Sequence, residues 1–201
     1  MWVCCCWRWS FAPVAADYCP IDGQGYWPEA RQLPSPNFNG RPAPVAGLII
    51  HSISLPPAVW GLDFIKDLFL NRLDPSAHPY FPPIAPLRLS AHFLIGRGGQ
   101  CWQFVATEQR AWHAGQSQLD GRDNCNDFTV GVELNGYDDC PYTLAQYQCL
   151  ARLTRALQRR YPLLTRENIR GHEQVAPGRK TDPSRSFNWS FYFQLLDYLN
   201  T

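Results

Sequence analysis

The stretch Ala46-Gly-Leu-Ile-Ile-His51-Ser-Ile53 sets an unbroken apolar run directly before a histidine. Short apolar runs that are rich in β-branched residues and bounded by proline, here Pro56, are typical of buried strands. The stretch therefore predicts a buried strand with the imidazole of His51 near its end. A further strand is predicted for Thr129-Val-Gly-Val-Glu-Leu134, whose alternation places Glu133 on the face opposite its valines.

The rest of the chain supplies a hairpin and several helices. Gly96-Arg-Gly-Gly99 lies between two apolar runs, which is the pattern of a β-hairpin. Thr143 predicts the N-terminal cap of a helix over residues 144–160, and Asn188 that of a last helix. Another helix is predicted between residues 59 and 70. Strands mixed with helices predict a single α/β domain with a central mixed β-sheet flanked by helices.

The composition fits one globular domain of ordinary surface charge. A chain of 201 residues is long enough to bury a sizeable core. The formal net charge of +1 gives no reason to expect a nucleic acid or a membrane as partner, and no segment approaches the length of a transmembrane helix. The eight cysteines are irregularly spaced, so we expect the reduced thiols of a cytosolic protein.

Two histidines and one acidic residue from distant parts of the chain form a candidate metal site. His51 follows the first strand, and His172 ends a short predicted strand that begins at Ile169. Asp182 follows in a loop rich in Gly and Pro. Two imidazoles and a carboxylate are the ligand set of a catalytic Zn²⁺, with the fourth position left for water. The residue types alone also allow structural histidines and a solvated turn, because no short zinc motif is present.

A series of six motifs runs in order along the chain, between about Trp27 and Trp189. The motifs are His51-Ser-Ile-Ser-Leu-Pro-Pro57, Asp74-Pro-Ser-Ala-His-Pro-Tyr80-Phe81, Leu87-Arg-Leu-Ser-Ala-His92, Arg110-Ala-Trp-His-Ala-Gly115, Cys125-Asn-Asp-Phe128 continuing into Gly131-Val-Glu133, and Gly171-His172 through Lys180-Thr-Asp182-Pro183. This series resembles the AmpD-type anhydromuramyl-L-alanine amidases, a family within a broader group that includes the peptidoglycan-recognition domains. Six motifs in register are far more specific than any one of them.

The resemblance implies a catalytic centre. His51, His172 and Asp182 match the zinc ligands of the family. Glu133 matches the general base and acid, which takes a proton from water and returns it to the departing amine. Lys180 is implied to stabilise the oxyanion, and in an extended segment it would share a face with Asp182.

The resemblance also implies a substrate groove. Tyr80, Arg88 and Trp112 match its positions; Arg88 can pair with a carboxylate of the stem peptide, and Trp112 can supply a flat wall for the sugar. His92 and His113 are expected to be packed or hydrogen-bonded structural residues. Ser52 and Asn124 depart from the family pattern, because many members carry Asn at the first of these positions and Arg at the second. Both positions bear on substrate affinity.

The function implied is that of a zinc-dependent N-acetylmuramoyl-L-alanine amidase. It would cleave the lactyl amide between anhydro-N-acetylmuramic acid and L-alanine in small soluble muropeptides, for cell-wall recycling in the cytoplasm, with no obligate protein partner. Two alternatives are an exported amidase acting on polymeric peptidoglycan and a peptidoglycan-binding module without catalysis. The N-terminal segment makes a poor secretory signal, and the intact ligand trio argues against the binding module.

The resemblance also divides the chain. Residues 1–26 precede it and are expected to be a mobile N-terminal extension, whereas residues 27–201 are expected to form the amidase domain.

Overall fold

The computed structural model describes residues 19–199 of the chain. The strands within them are β1 (Arg31–Gln32), β2 (Phe38–Gly40), β3 (Gly47–Ile53), β4 (Phe93–Ile95), β5 (Cys101–Gln103), β6 (Gln109–Ala111), β7 (Gln118–Leu119), β8 (Arg122–Asp123), β9 (Thr129–Asn135) and β10 (Ile169–Gly171). The helices are α1 (Asp63–Phe69), α2 (Leu144–Arg160), α3 (His172–Val175) and α4 (Trp189–Tyr198).

Six of the strands form one mixed sheet, in the order β1-β5-β4-β9-β3-β10. Strand β3 lies between β9 and β10 and is parallel to both, and β4 is parallel to β9. Strand β5 pairs antiparallel with β4, which is the hairpin that the glycine-rich turn predicts. The predicted α/β domain with a central mixed sheet is confirmed.

The two faces of the sheet carry different side chains. Leu48 of β3 and Val132 of β9 project into the main core, together with buried residues of α2 and α4. The opposite face presents His51 and Glu133, which are direct neighbours across the β3–β9 pair. Because directly paired residues of a sheet project from the same face, the imidazole and the carboxyl lie on one side.

The start of helix α2 agrees with the sequence prediction, whereas helix α1 begins later than predicted. Helix α2 begins after Thr143, whose hydroxyl accepts from the backbone N–H of Gln146, as its sequence predicts. Helix α1 begins only at Asp63, because Ala58 and Gly61 have backbone φ angles of 61° and 154°, which no α-helix accommodates. Between residues 19 and 199, no helix combines the length and the apolar character needed to cross a bilayer.

The predicted N-terminal extension lies mostly outside the described residues, which begin at Cys19. From there the chain packs against the sheet: Ile21 is buried in the main core, and the side-chain amide of Gln103 donates to the carbonyl oxygen of Gly25 at 2.8 Å. Structural contacts with the domain therefore begin several residues before Trp27.

Candidate metal centre

Three side chains converge at the carboxyl ends of the central strands. Nδ1 of His51 lies 2.9 Å from Nδ1 of His172, and Oδ2 of Asp182 lies 3.1 Å and 3.0 Å from these two nitrogens. Both imidazoles are buried and the carboxylate is largely so. Within residues 19–199 this is the only cluster of His, Cys, Asp or Glu with the spacing of a metal site.

His172 reaches the cluster from a helix rather than from the predicted strand end. Strand β10 stops at Gly171, whose backbone N–H donates to the side chain of Gln174 at 2.8 Å. This cap starts the short helix α3 at His172. The change of direction between β10 and α3 places the imidazole beside His51, since β10 is the neighbour of β3.

The outer nitrogens of both imidazoles contact one short segment of the chain. Nε2 of His172 lies 3.1 Å from the carbonyl oxygen of Ala114, and Nε2 of His51 lies 3.0 Å from Nδ1 of His113. A carbonyl oxygen only accepts, so Nε2 of His172 carries the proton and its Nδ1 offers a lone pair. The outer contact therefore turns a metal-binding nitrogen of His172 towards the cluster.

The electrostatics of the cluster favour a neutral imidazole beside an ionised carboxylate. Burial lowers the pKa of His51 to about 4, although Asp182 acts in the opposite direction. Burial opposes the charge on Asp182, but its close contacts with His172 and His51 hold the pKa of this carboxyl well below its ordinary value. Metal ligands must be deprotonated, and His51 and Asp182 are so at neutral pH.

The donor set fits a metal cation. With its outer nitrogen donating, His172 turns a bare Nδ1 towards Nδ1 of His51 and the carboxylate of Asp182, and all three atoms lie within 3.1 Å of one another. Lone pairs at such distances repel unless protons or a cation lie between them. Two nitrogens and a carboxylate oxygen are ligands that a divalent transition metal accepts.

Glu133 lies beside this trio without belonging to it. Its Oε2 is buried and has no hydrogen-bond partner among the described residues. Burial, together with the negative charge of Asp182, raises the pKa of Glu133 well above its ordinary value, while the charge of Lys180 opposes the rise. A carboxyl with a raised pKa and no fixed hydrogen bond is available for proton transfer.

Lys180 follows directly after a tight turn of the chain. The backbone N–H of Lys180 donates to the carbonyl oxygen of Ala176 at 3.1 Å, and Gly178 has a φ of 75°, so the chain turns here. This turn ends at Lys180 and so precedes the segment from Lys180 to Asp182, for which an extended backbone with both side chains on one face stays a prediction. The ammonium is still close enough for its charge to lower the pKa of both His51 and Glu133.

The residues of the cluster lie within a sequence range that matches a known protein family. Residues 41–185 match the family model described as N-acetylmuramoyl-L-alanine amidase. The chain belongs to the N-acetylmuramoyl-L-alanine amidase family. The matched range contains the trio, Glu133 and Lys180. The family predicted from the six motifs is thus confirmed.

Relatives of this amidase cover nearly its whole described length. The 1,6-anhydro-N-acetylmuramyl-L-alanine amidase AmpD of Citrobacter freundii is 49% identical over 175 residues, which are 86% of this chain and 93% of that protein. The crystal structure of a selenomethionine derivative of AmpD has a TM-score of 0.85 at 49% identity and covers 88% of this chain and 98% of that one. The amidase is an enzyme of this class, as its sequence predicts.

A more distant neighbour was solved with a ligand. The structure of AmpDH3 from Pseudomonas aeruginosa, in complex with anhydromuramic pentapeptide, has a TM-score of 0.59 at 26% identity. The match covers 88% of this chain and 66% of that one.

The three predicted substrate-binding residues of the amidase lie at different places. Trp112 directly precedes His113, and its indole N–H donates to Oδ1 of Asn39 at 2.7 Å. Tyr80 and Arg88 lie on the long loop between α1 and β4. Tyr80 is 45% exposed, and within residues 19–199 the guanidinium of Arg88 donates only to carbonyl oxygens of its own loop. Trp112 therefore adjoins His113 along the chain, whereas the other two residues lie on the loop.

Residues 113–114 and Asn126 contribute more to the amidase site than their sequence suggests. The backbone N–H groups of His113 and Ala114 both donate to Oδ1 of Asn126, at 3.0 Å and 2.8 Å. All three lie in the motifs that carry the resemblance, which was the available signal. A contact made by a backbone carbonyl, such as that of Ala114, leaves no trace in residue identity.

The two departures from the family pattern are accommodated locally. Ser52 lies near Tyr142, whose phenol has a pKa that burial raises and Ser52 lowers, and the hydroxyl of Tyr142 donates to the carbonyl oxygen of Pro183 at 2.9 Å. Asn124 has a left-handed backbone with a φ of 59°, a region that asparagine enters more readily than arginine. Its side chain accepts from the guanidinium of Arg110 at 3.3 Å.

Proposed function

We propose that this amidase is a zinc enzyme that hydrolyses the lactyl amide between anhydro-N-acetylmuramic acid and L-alanine in small soluble muropeptides. The observation that carries the proposal is the convergence of His51, His172 and Asp182 beside an unpaired Glu133 carboxyl. The naming of AmpD relatives at 49% identity as anhydromuramyl-L-alanine amidases supports the choice of substrate.

Zn²⁺ would be held by Nδ1 of His51, Nδ1 of His172 and a carboxylate oxygen of Asp182. Two imidazoles and one carboxylate form a known catalytic zinc set that keeps a coordination position open. When bound, the ion supplies Lewis acidity, which makes water more acidic and an amide carbonyl more electrophilic.

Glu133 would act as general base and then as general acid. Its carboxylate accepts a proton from the attacking water and returns it to the nitrogen of L-alanine as the amide bond breaks. The unpaired Oε2 is free to take that proton, and the raised pKa of Glu133 makes its carboxylate a stronger base. The position beside His51 on the adjacent strand keeps this transfer close to the reacting carbonyl.

Lys180 would stabilise the oxyanion of the tetrahedral intermediate. Its ammonium is the positive side chain whose charge acts on both His51 and Glu133. A positive charge that is already in place where negative charge develops lowers the barrier without reorganisation at the moment of reaction.

The substrate would extend from the trio along Trp112 and the exposed loop. Trp112 offers an apolar surface for the sugar. Arg88 has donors left after its contacts with its own loop and can form a bidentate pair with a carboxylate of the stem peptide. The exposed ring of Tyr80 lies on the same loop and can cover the peptide. Binding of an anhydromuramic pentapeptide by the related AmpDH3 supports this ligand class.

The biological role would be the recycling of cell-wall fragments in the cytoplasm. The alternative, an exported amidase of polymeric peptidoglycan, differs in substrate and in compartment. Purified protein should contain about one equivalent of zinc and release the stem peptide from a soluble anhydromuropeptide faster than from intact murein sacculi. Chelation should abolish both reactions.

Full activity in a sample shown to be free of metal would refute the zinc mechanism. Equal or faster release from sacculi, or recovery of the native protein from the periplasm, would refute the recycling role. Asp182→Ala, which removes one ligand, is the matched control for zinc content.

A further inference from the structure

The ring of His113 occupies a space that the sheet leaves open. Gly131 of β9 faces it, and a Cβ on this glycine would lie 2.5 Å from Nδ1 of His113, inside van der Waals contact. The ring meets His51 edge to face, with ring centroids 5.1 Å apart and an interplanar angle of 84°. His113 is therefore seated in one position, against the first ligand of the trio.

A chain of three hydrogen bonds leads from His51 through this ring to a backbone carbonyl. Nε2 of His51 lies 3.0 Å from Nδ1 of His113, and Nε2 of His113 lies 3.4 Å from the hydroxyl of Thr129. The hydroxyl of Thr129 lies 2.7 Å from the carbonyl oxygen of Cys125. Thr129 is fully buried, so no water competes for its single proton.

The direction of every bond in this chain follows from its far end. The carbonyl oxygen of Cys125 can only accept, so the proton of Thr129 points to it. The hydroxyl oxygen of Thr129 must then accept from Nε2–H of His113. A neutral imidazole has one N–H, so Nδ1 of His113 accepts from Nε2–H of His51. Nδ1 of His51 is left bare, and this is the atom that faces His172 and Asp182.

The backbone beside His113 fixes the imidazole of His172 in the same tautomer, with the proton on Nε2. The carbonyl oxygen of Ala114 accepts from Nε2–H of His172 at 3.1 Å and from the guanidinium of Arg179 at 2.6 Å. Asn126 holds the backbone N–H groups of residues 113 and 114 with one oxygen. One clamped dipeptide therefore sets the orientation of both imidazoles.

We propose that His113 and Thr129 are positioning residues of the metal site, which set the tautomer of His51 so that its Nδ1 is always available to the ion. The inference rests on the proposed zinc function and adds to it residues that touch neither the ion nor the substrate. A ligand held in the wrong tautomer must exchange its proton before it binds, so losing the outer acceptor weakens metal affinity, typically about 10–100-fold.

Two pairs of variants distinguish the loss of a hydrogen-bonding group from the loss of side-chain volume. His113→Leu keeps a buried side chain of similar size but has no acceptor, whereas His113→Asn carries an oxygen near the place of Nδ1. Thr129→Val removes the hydroxyl at nearly constant shape, and Thr129→Ser keeps it. The full-length, zinc-loaded proteins are titrated with a chromogenic chelator to obtain the dissociation constant of Zn²⁺, and their thermal unfolding is recorded after the metal is stripped.

The expected result is a loss of zinc affinity of about 10–100-fold in His113→Leu, and of a smaller factor in Thr129→Val. His113→Asn and Thr129→Ser should stay close to the native protein. The Co²⁺-substituted Leu and Val variants should also show altered visible absorption, because the orientation of a ligand changes.

Native affinity in His113→Leu, or equal losses in His113→Leu and His113→Asn, would overturn the proposal. If His113→Leu does not fold, the Thr129 pair decides by the same criterion. Failure of the native protein to bind Zn²⁺ would instead overturn the zinc function itself.

Discussion

Replacing Gly131 by alanine tests whether the site depends on close contact between the sheet and His113. No space exists for a methyl group here, since an added Cβ would lie 2.5 Å from Nδ1 of His113 and 2.8 Å from its Cδ2. The backbone φ of Gly131 is not positive, so alanine itself fits the strand. The cost of the substitution should therefore come from the imidazole ring alone.

The size of the effect follows from the distances. Ordinary contacts to a Cβ begin at 3.4 Å, so the ring must move by about 1 Å. A shift of that size stretches the 3.0 Å contact with His51 beyond hydrogen-bonding range. Overpacking of this kind costs about 1–3 kcal/mol of unfolding free energy. In a domain of this length, each kcal/mol lowers the melting temperature by about 2–4 °C.

Urea and thermal unfolding of the metal-free protein measure this loss, and chelator titration measures the accompanying loss of zinc affinity. Gly40→Ala is the matched control, because a Cβ on that strand residue meets nothing within 4 Å and should cost little. In the background of Gly131→Ala, His113→Ala should cost less than it does alone, because it removes the clash. A Gly131→Ala protein with native stability and native zinc affinity would refute the reasoning.

Four further outcomes are expected. Glu133→Gln should keep its zinc and lose about 10²–10⁴-fold in kcat, since the side-chain amide of Gln cannot accept the proton; loss of zinc would instead make Glu133 a structural residue. Lys180→Met should also keep zinc and lower kcat more than it raises KM, and the opposite split in steady-state kinetics would count against an oxyanion role. Arg88→Gln should raise KM for substrates that carry a peptide carboxylate and spare truncated ones, so a uniform rise in KM would exclude the ion pair. Burial lowers the pKa of His51 and His92, so each imidazole lowers the stability of the metal-free protein by up to about 1.4 kcal/mol per pH unit as the pH falls below about 6.5, whereas the raised pKa of Glu133 and of Glu173 acts in the opposite direction; with both carboxyls removed, in Glu133→Gln/Glu173→Gln, the urea midpoint should fall between pH values of about 7.5 and 5.5, and equal midpoints would contradict this.

The elements that the sequence predicts best are those whose signals are local. Strand β9 follows from an alternation of apolar residues, and α2 from a capping threonine with an apolar stripe behind it. The predicted helix between residues 59 and 70 begins too early, because Gly61 has a φ of 154° that no α-helix accommodates, and an isolated glycine does not by itself mark the start of a helix.

The candidate site shows the same division between residue identity and tertiary contact. His51, His172 and Asp182 could be selected as ligands because the motifs of the family mark them, and the structure brings all three together. The supporting contacts of His113 and Thr129 could not be selected, because each depends on strands and loops that meet only in the folded chain.

The order of the ligands along the chain has a consequence for biosynthesis. His51 and Glu133 sit on paired strands, but His172 and Asp182 follow 121 and 131 residues after His51. A ribosome that has just completed the β3–β9 pair has yet to translate two of the three proposed metal ligands. If the trio holds the proposed ion, loading is confined to a chain translated beyond Asp182, and a product that terminates before Asp182 would be inert rather than partly active.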